Sequence, residues 1–212
     1  MLNKDSKEAR VTRFLDEMLD TLDETYERIL RGINRAQKDH AHRLLQCLSV
    51  AARLLSVEEL AELDWWWEDQ EEAVLSTCSN LITVAHDGDS QVVQFSHFSV
   101  MEYLTTSLHL TRSNEDIARF HIHFERVYTL LTQAYLGTLL RLDECGGGGN
   151  NGTERFSLAG CAAQHWVDHA QFEQVSSRIR DGMDDPFDLF KPHFAAWLGV
   201  HDIDRPWFDF SH

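Results

Sequence analysis

Residues 81–95 read LITVAHDGDSQVVQF, and they interrupt a sequence whose pattern is otherwise helical. Apolar and β-branched residues dominate Leu81–Ala85 and Gln91–Phe95, which is typical of short strands. Between the two runs, Asp87 and Gly88 give the Asp-Gly signal of a tight turn, because glycine readily adopts the left-handed backbone that such turns need. This stretch predicts one two-stranded β-hairpin.

Helix-start signals surround the predicted hairpin. In a capping box a Ser or Thr caps a backbone N–H three residues later, and the Glu at that position reaches back. Three such boxes begin at Thr21, Ser56 and Ser99. Together with the apolar periodicity they predict helices over residues 21–33, 37–53, 56–63, 69–79 and 99–108. Four helices, a hairpin and a closing helix predict a winged-helix module over residues 21–110.

The second half has helical periodicity and no strand pattern. It predicts an all-α module over residues 111–206, with helices over 114–142, 156–168, 171–183 and 187–198 and a break near residue 124. A glycine-rich insert, Cys145–Thr153, separates two of them. An N-terminal helical extension (1–20) and a tail (207–212) complete the chain. The predicted fold class is mainly α: a winged-helix module with one β-hairpin, followed by an all-α helical module.

Composition limits the partners of this chain. Its 212 residues are 43% hydrophobic and carry a net charge of −16. An acidic surface opposes binding to nucleic acid, whose affinity rests on neutralising phosphates. The apolar runs are far shorter than the roughly 18 residues of a membrane span, and the charged N-terminus does not resemble a signal peptide. We therefore expect a cytoplasmic protein with no nucleic-acid or membrane partner.

The histidine spacing gives little support for a metal site. His165 and His169 are four residues apart on a predicted helix, a spacing compatible with zinc, but no glutamate base or third ligand accompanies them. His121 and His123 are predicted to point apart on a helix. We expect packing or surface histidines and no bound metal.

No motif predicts catalysis or a resident cofactor. Gly146–Gly149 lack the lysine and the preceding strand of a phosphate-binding loop, and no nucleophile elbow occurs. The four cysteines lack zinc or redox spacing, so we expect reduced thiols. Trp65–Trp67 favour intramolecular packing, with contact to a partner as the alternative. The chain is predicted not to be an enzyme.

Residues 95–104, FSHFSVMEYL, resemble a pattern in the winged-helix domain of NACHT-type signal-transduction ATPases. Residues 22–30, LDETYERIL, resemble the segment that follows the NACHT module in large fungal NACHT–ankyrin proteins. Residues 73–81, 163–170, 191–197 and 202–204 are similar to further blocks of that family. Neither the NACHT module nor the ankyrin repeats occur in this sequence, and the connection Leu63–Trp66 is shorter than in the family.

The resemblance implies a non-catalytic regulatory segment of an NLR-like receptor that folds onto the NACHT module and holds its ADP-bound resting state. It also implies that His97 contacts an ADP phosphate, only together with that module. The partner would be a NACHT ATPase module or another receptor copy. One alternative is a free-standing protein–protein adaptor. Another is a winged-helix DNA-binding protein, although its reading helix over residues 57–63 is too acidic to bind phosphates. The alternative for His97 is a packing residue.

Overall fold

The computed structural model describes residues 18, 21–63, 78–88, 90–106, 115–142, 156–172, 175, 177 and 179. Helix α1 covers residues 21–32 and is followed by a 3-10 turn at Arg35–Gln37. The remaining elements are α2 (Lys38–Val50), β1 (Leu55–Ser56), α3 (Val57–Leu63), β2 (Ile82–Asp87), β3 (Ser90–Phe95), α4 (Phe98–Thr105), α5 (Glu115–Ala118), α6 (Phe124–Arg141) and α7 (Ala159–Ala170). The protein is mainly α-helical, with a small antiparallel sheet.

The predicted hairpin is confirmed. Strands β2 and β3 pair with Val84 opposite Val93, and Gly88 adopts a φ of 60° in the turn between them. A third strand, β1, was not predicted and pairs with β3, so the sheet has the order β1-β3-β2. With only two residues, β1 is too short to show the alternation from which strands are recognised.

The predicted helix starts have different outcomes. At Ser56 the capping box is confirmed: Ser56 Oγ accepts from the Glu59 N–H at 3.2 Å, and Glu59 Oε2 accepts from the Ser56 N–H at 2.8 Å. At Thr21 it is wrong, because Met18 is already helical and the Thr21 hydroxyl donates to the Met18 carbonyl at 2.7 Å. Thr21 is itself helical, and its hydroxyl donates to a carbonyl three residues earlier, so it does not take the capping position.

The described part of the second half consists of helices and the irregular segments that join them. The break predicted near residue 124 is confirmed, since residues 119–123 are not helical and divide α5 from α6. Residues 175, 177 and 179 are helical, within the helix predicted over 171–183. The remaining predictions over 1–20, 64–77, 107–114, 143–155 and 180–212 lie outside the described residues, apart from Met18.

One hydrophobic cluster runs through both halves of the chain. It joins Leu45 and Leu60 of the first half to Leu131, Tyr135 and other residues of the second, all of them buried. Hydrogen bonds also cross between the halves: Ile122 N–H donates to the Leu104 carbonyl and Leu158 N–H donates to Glu62 Oε2, each at 2.9 Å, and the Arg119 guanidinium donates to Asp39 Oδ1. Within the described residues, no helix combines the length and apolar character needed to cross a membrane.

Candidate functional site

His97 lies at the junction where β3 ends and α4 begins. Its backbone is extended, with φ −153° and ψ 146°, and it is the N-cap residue of α4. In this conformation Nδ1 of the ring accepts a hydrogen bond from the Ser99 backbone N–H at 3.2 Å. The ring therefore satisfies one of the backbone donors that a helix leaves unpaired at its N-terminus.

The capping box predicted at Ser99 is wrong. Helix α4 begins at Phe98, so Ser99 already lies in its first turn and His97 takes the capping position. The Ser99 hydroxyl instead lies 2.6 Å from His97 Nδ1 and 2.6 Å from the Tyr26 hydroxyl on α1. The usual helix-cap residues are Ser, Thr, Asp and Asn, and histidine is not among them. The prediction therefore missed this cap.

The hydrogen bonds at Nδ1 define the chemical form of the His97 ring. A nitrogen that accepts a backbone N–H carries no hydrogen, so the hydrogen of the neutral ring is on Nε2. Nε2 lies on the opposite edge of the ring, and the His97 side chain is exposed. The site therefore presents one N–H donor beside a helix N-terminus, where the helix dipole favours an anion.

Apolar side chains border His97 on α4. The Phe98 side chain is 66% exposed, and its ring centroid lies 5.0 Å from that of His97. Met101, one turn further along α4, is 37% exposed. Isolated exposed apolar residues are common, but a phenylalanine this exposed beside a polar donor is a suitable contact for a partner.

Two tyrosine rings form a contact between α1 and α4, and acidic residues of α1 act on one of them. Tyr26 and Tyr103 pack with their ring centroids 5.4 Å apart. Burial, together with the carboxylates of Glu27 and Asp23, raises the pKa of Tyr103 to about 12. The phenol of Tyr103 is therefore neutral at physiological pH, and the interface is held by uncharged rings.

The two histidines of α7 lie in different surroundings. His165 Nδ1 lies 3.5 Å from Asp168 Oδ2, while His169 is 2% exposed and packs between the rings of Tyr128 and Tyr135. Burial lowers the pKa of His169 to about 4. Among the described residues, no group of three His, Cys, Asp or Glu side chains is arranged to hold a metal ion.

The orientation predicted for His121 and His123 is wrong. Both precede α6 in non-helical backbone, and their rings meet edge to face with His121 Nδ1 3.1 Å from His123 Nε2. Nearby on α2, burial and then the charge of Arg119 lower the pKa of His42 to about 4. Residues i and i+2 point apart on a helix, but the irregular backbone between α5 and α6 allows these rings to meet.

A cleft of about 710 Å³ was not predicted from the sequence. It lies between β1, the hairpin and the segment before α7, and its lining includes Arg53, Glu58, Asp87 and Ser157. Arg53 pairs there with Glu59, which is 6% exposed, and the hydrogen bonds to Glu59 raise the pKa of the Arg53 guanidinium. Because Glu59 neutralises the arginine while Glu58 and Asp87 remain, the cleft is unsuited to an anion.

The described thiols are not activated nucleophiles. Cys47, Cys78 and Cys161 are all buried. Burial raises the pKa of the Cys78 thiol to about 12 and also raises that of Cys161, whose sulfur lies 3.4 Å from the Tyr135 hydroxyl. A reactive cysteine needs the opposite, an exposed thiol with a lowered pKa. Trp65–Trp67 and Gly146–Gly149 lie outside the described residues.

The chain is similar to a curated protein of a biosynthesis cluster. The azaphilone pigments biosynthesis cluster protein L of Monascus ruber is 28% identical over 211 residues, an alignment that covers 91% of this chain and 44% of that protein. The chain thus spans less than half the length of the curated relative it matches. No protein-family model matches the chain, and no solved structure gives a significant match.

Proposed function

We propose that this chain is a non-catalytic regulatory segment of a NACHT-type, NLR-like signalling receptor of the cytoplasm. In the proposed resting state, His97 donates a hydrogen bond to an ADP phosphate held by the NACHT module. The observation that supports this role is the capping geometry at His97, which leaves Nε2–H as the donor on an exposed ring at a helix N-terminus. The resemblance of residues 95–104 to the family pattern supports the same role.

His97 is expected to contribute a modest binding free energy, and only in the closed state. A hydrogen bond to a charged group contributes about 1.5–3 kcal/mol. A single bond of this size cannot hold a nucleotide alone, so the phosphate-binding groups must come from the NACHT module. A contact made only in the closed state shifts the equilibrium towards that state. His97 would therefore slow activation without catalysing any step.

The test is ADP release from a receptor in which this chain is joined to a cognate NACHT module. His97→Ala should speed release by roughly 10- to 100-fold, because one charge-assisted hydrogen bond is lost. His97→Asn should do the same while preserving α4, because asparagine is a good helix cap but its side chain is too short to place a donor where Nε2 lies. His86→Ala, at an exposed site near the hairpin turn, is the matched control. Release from His97→Asn at the wild-type rate would refute the phosphate contact.

A free-standing adaptor is the second candidate, and the exposed Phe98 favours it. An adaptor that binds another copy through α4 would self-associate in isolation. Light scattering after size exclusion should then show an oligomer that Phe98→Ser converts to a monomer. A monomeric wild-type chain would exclude self-association through this surface.

A role in a biosynthesis cluster is a third candidate, which only the name of the Monascus ruber relative supports. That name specifies no reaction, and we assign none to this chain. Gene deletion followed by rescue with a variant separates this candidate from the first. Loss of a pigment on deletion of the gene, with full rescue by the His97→Asn variant, would favour a cluster role that does not need the His97 donor.

A further inference from the structure

We propose that Tyr26 and Ser99 are positioning residues for His97, an assignment that rests on the proposed function and adds control by helix α1. Two short contacts link the three side chains: 2.6 Å from the Tyr26 hydroxyl to Ser99 Oγ, and 2.6 Å from Ser99 Oγ to His97 Nδ1. Tyr26 and Ser99 are 73 residues apart in sequence. The contact therefore depends on how α1 packs against α4 and not on local backbone.

The direction of each hydrogen bond between Tyr26, Ser99 and His97 follows from the donors available. His97 Nδ1 accepts from the Ser99 backbone N–H and so carries no hydrogen of its own. In the contact between Ser99 Oγ and Nδ1, the serine must therefore be the donor. Because a serine hydroxyl has one hydrogen, Ser99 accepts from Tyr26. The donors run from Tyr26 to Ser99 to His97, and the ring hydrogen remains on Nε2.

The Ser99 hydroxyl, at 2.6 Å, and the Ser99 backbone N–H, at 3.2 Å, share the single lone pair of Nδ1 and hold the ring in one orientation. The second side-chain torsion of a histidine is broad and roughly two-fold when nothing fixes it, and an inverted ring would turn Nδ1 away from both donors. The hydroxyl chain thus keeps Nε2–H available to an anion. Without it, only the 3.2 Å bond from the backbone N–H would orient the ring.

The hydroxyl chain makes the His97 Nε2–H donor sensitive to the position of α1. Tyr26 is 8% exposed and packs against Tyr103, so its hydroxyl moves with the helix. An O–H···O hydrogen bond spans about 2.5–3.0 Å, and a displacement of α1 by about 1 Å breaks it. A partner or domain that moves α1 would therefore weaken the hydroxyl chain that orients the His97 ring, without touching α4.

The test uses the 212-residue chain with no nucleotide, so its outcome does not depend on whether His97 contacts ADP. Nitrogen-15 spectra of the labelled histidine rings report Nδ1 and Nε2 of His97, assigned by the resonances missing in His97→Asn. The wild type should show a hydrogen-bonded, unprotonated Nδ1 and a protonated Nε2. Tyr26→Phe and Ser99→Ala should each move the Nδ1 resonance towards that of an imidazole without a donor.

Amide hydrogen exchange at residue 99 gives a second readout. In Tyr26→Phe the exchange rate should rise roughly two- to tenfold, the range expected for the loss of one ordinary hydrogen bond. Tyr103→Phe is the matched control, since it removes a phenol from the same α1–α4 interface but outside the hydroxyl chain. An Nδ1 resonance and an exchange rate equal in Tyr26→Phe and Tyr103→Phe would overturn the assignment, as would a ring protonated on Nδ1 in the wild type.

Discussion

Acid should destabilise this protein through His169, and the effect can be calculated from its environment. His169 is 2% exposed, and within the described residues neither ring nitrogen has a hydrogen-bond partner. Its pKa falls from 6.5 in the unfolded chain to about 4 in the folded protein, because burial opposes the charged ring. The unfolded state therefore binds the proton more readily, so the stabilising difference is fully present above pH 6.5 and is lost as the pH falls towards 4.

The magnitude follows from the two pKa values. Each pKa unit corresponds to about 1.36 kcal/mol, so lowering the pH from 7.5 to 4.5 should remove about 2.5 kcal/mol through this group alone. His169→Phe keeps an aromatic ring between Tyr128 and Tyr135 and removes two unpartnered polar atoms. The variant should be at least as stable as the wild type at pH 7.5, since an apolar group replaces buried polar atoms that lack partners.

Urea denaturation at both pH values measures this difference. Carboxylates and the buried His42 also titrate in this range, but they are common to both proteins, so the wild-type loss minus the variant loss isolates His169. His86→Phe, at an exposed position, controls for the substitution itself. An equal loss of free energy in wild type and His169→Phe would refute the reasoning, because the ring would then be no costlier to protonate when folded.

Three further predictions concern the ion pair, the nucleotide and cooperativity. Arg53→Met should lower the free energy of unfolding by about 2–3 kcal/mol, because it leaves the buried Glu59 carboxylate short of a partner. The double variant Arg53→Met/Glu59→Gln should regain most of this stability, as measured by urea denaturation. The isolated chain should show no micromolar binding of ADP or ATP in titration calorimetry, since one imidazole supplies about 1.5–3 kcal/mol at most; micromolar heats would reveal a nucleotide site. Thermal unfolding followed by calorimetry should give one transition, because both halves share a core; two resolved transitions would contradict that.

The local pattern of the sequence was enough to predict the hairpin and the Ser56 cap. Residues 81–95 contain two runs of apolar and β-branched residues around an Asp-Gly turn, so both strand formation and reversal are encoded within fifteen residues. Ser56 and Glu59 succeed as a cap because the chain enters α3 from strand β1, which leaves the backbone N–H groups of the first turn open to them. Where neighbouring residues determine a feature in this way, the sequence alone is sufficient to predict it.

The candidate site was only partly predictable. The family resemblance pointed to His97, but its role as a cap depends on the extended backbone at that residue, which no pattern signals. Tyr26 reaches Ser99 from a distant part of the chain, and β1 is a strand only because β3 lies beside it. The contact between His121 and His123 likewise depends on irregular backbone. Each of these features arises from tertiary packing, which periodicity and spacing do not describe.

The hydrogen bond from Leu158 N–H to Glu62 has a consequence for how this segment can be inherited. Burial raises the pKa of Glu62, and its carboxylate accepts from the backbone just before α7, some 96 residues away. A recombination event that brings in a foreign second half must place a backbone N–H within reach of Glu62, or this half-buried carboxylate loses its bond. The two halves should therefore be exchanged between related proteins as one block, and natural or engineered chimeras should have their junctions outside residues 21–172.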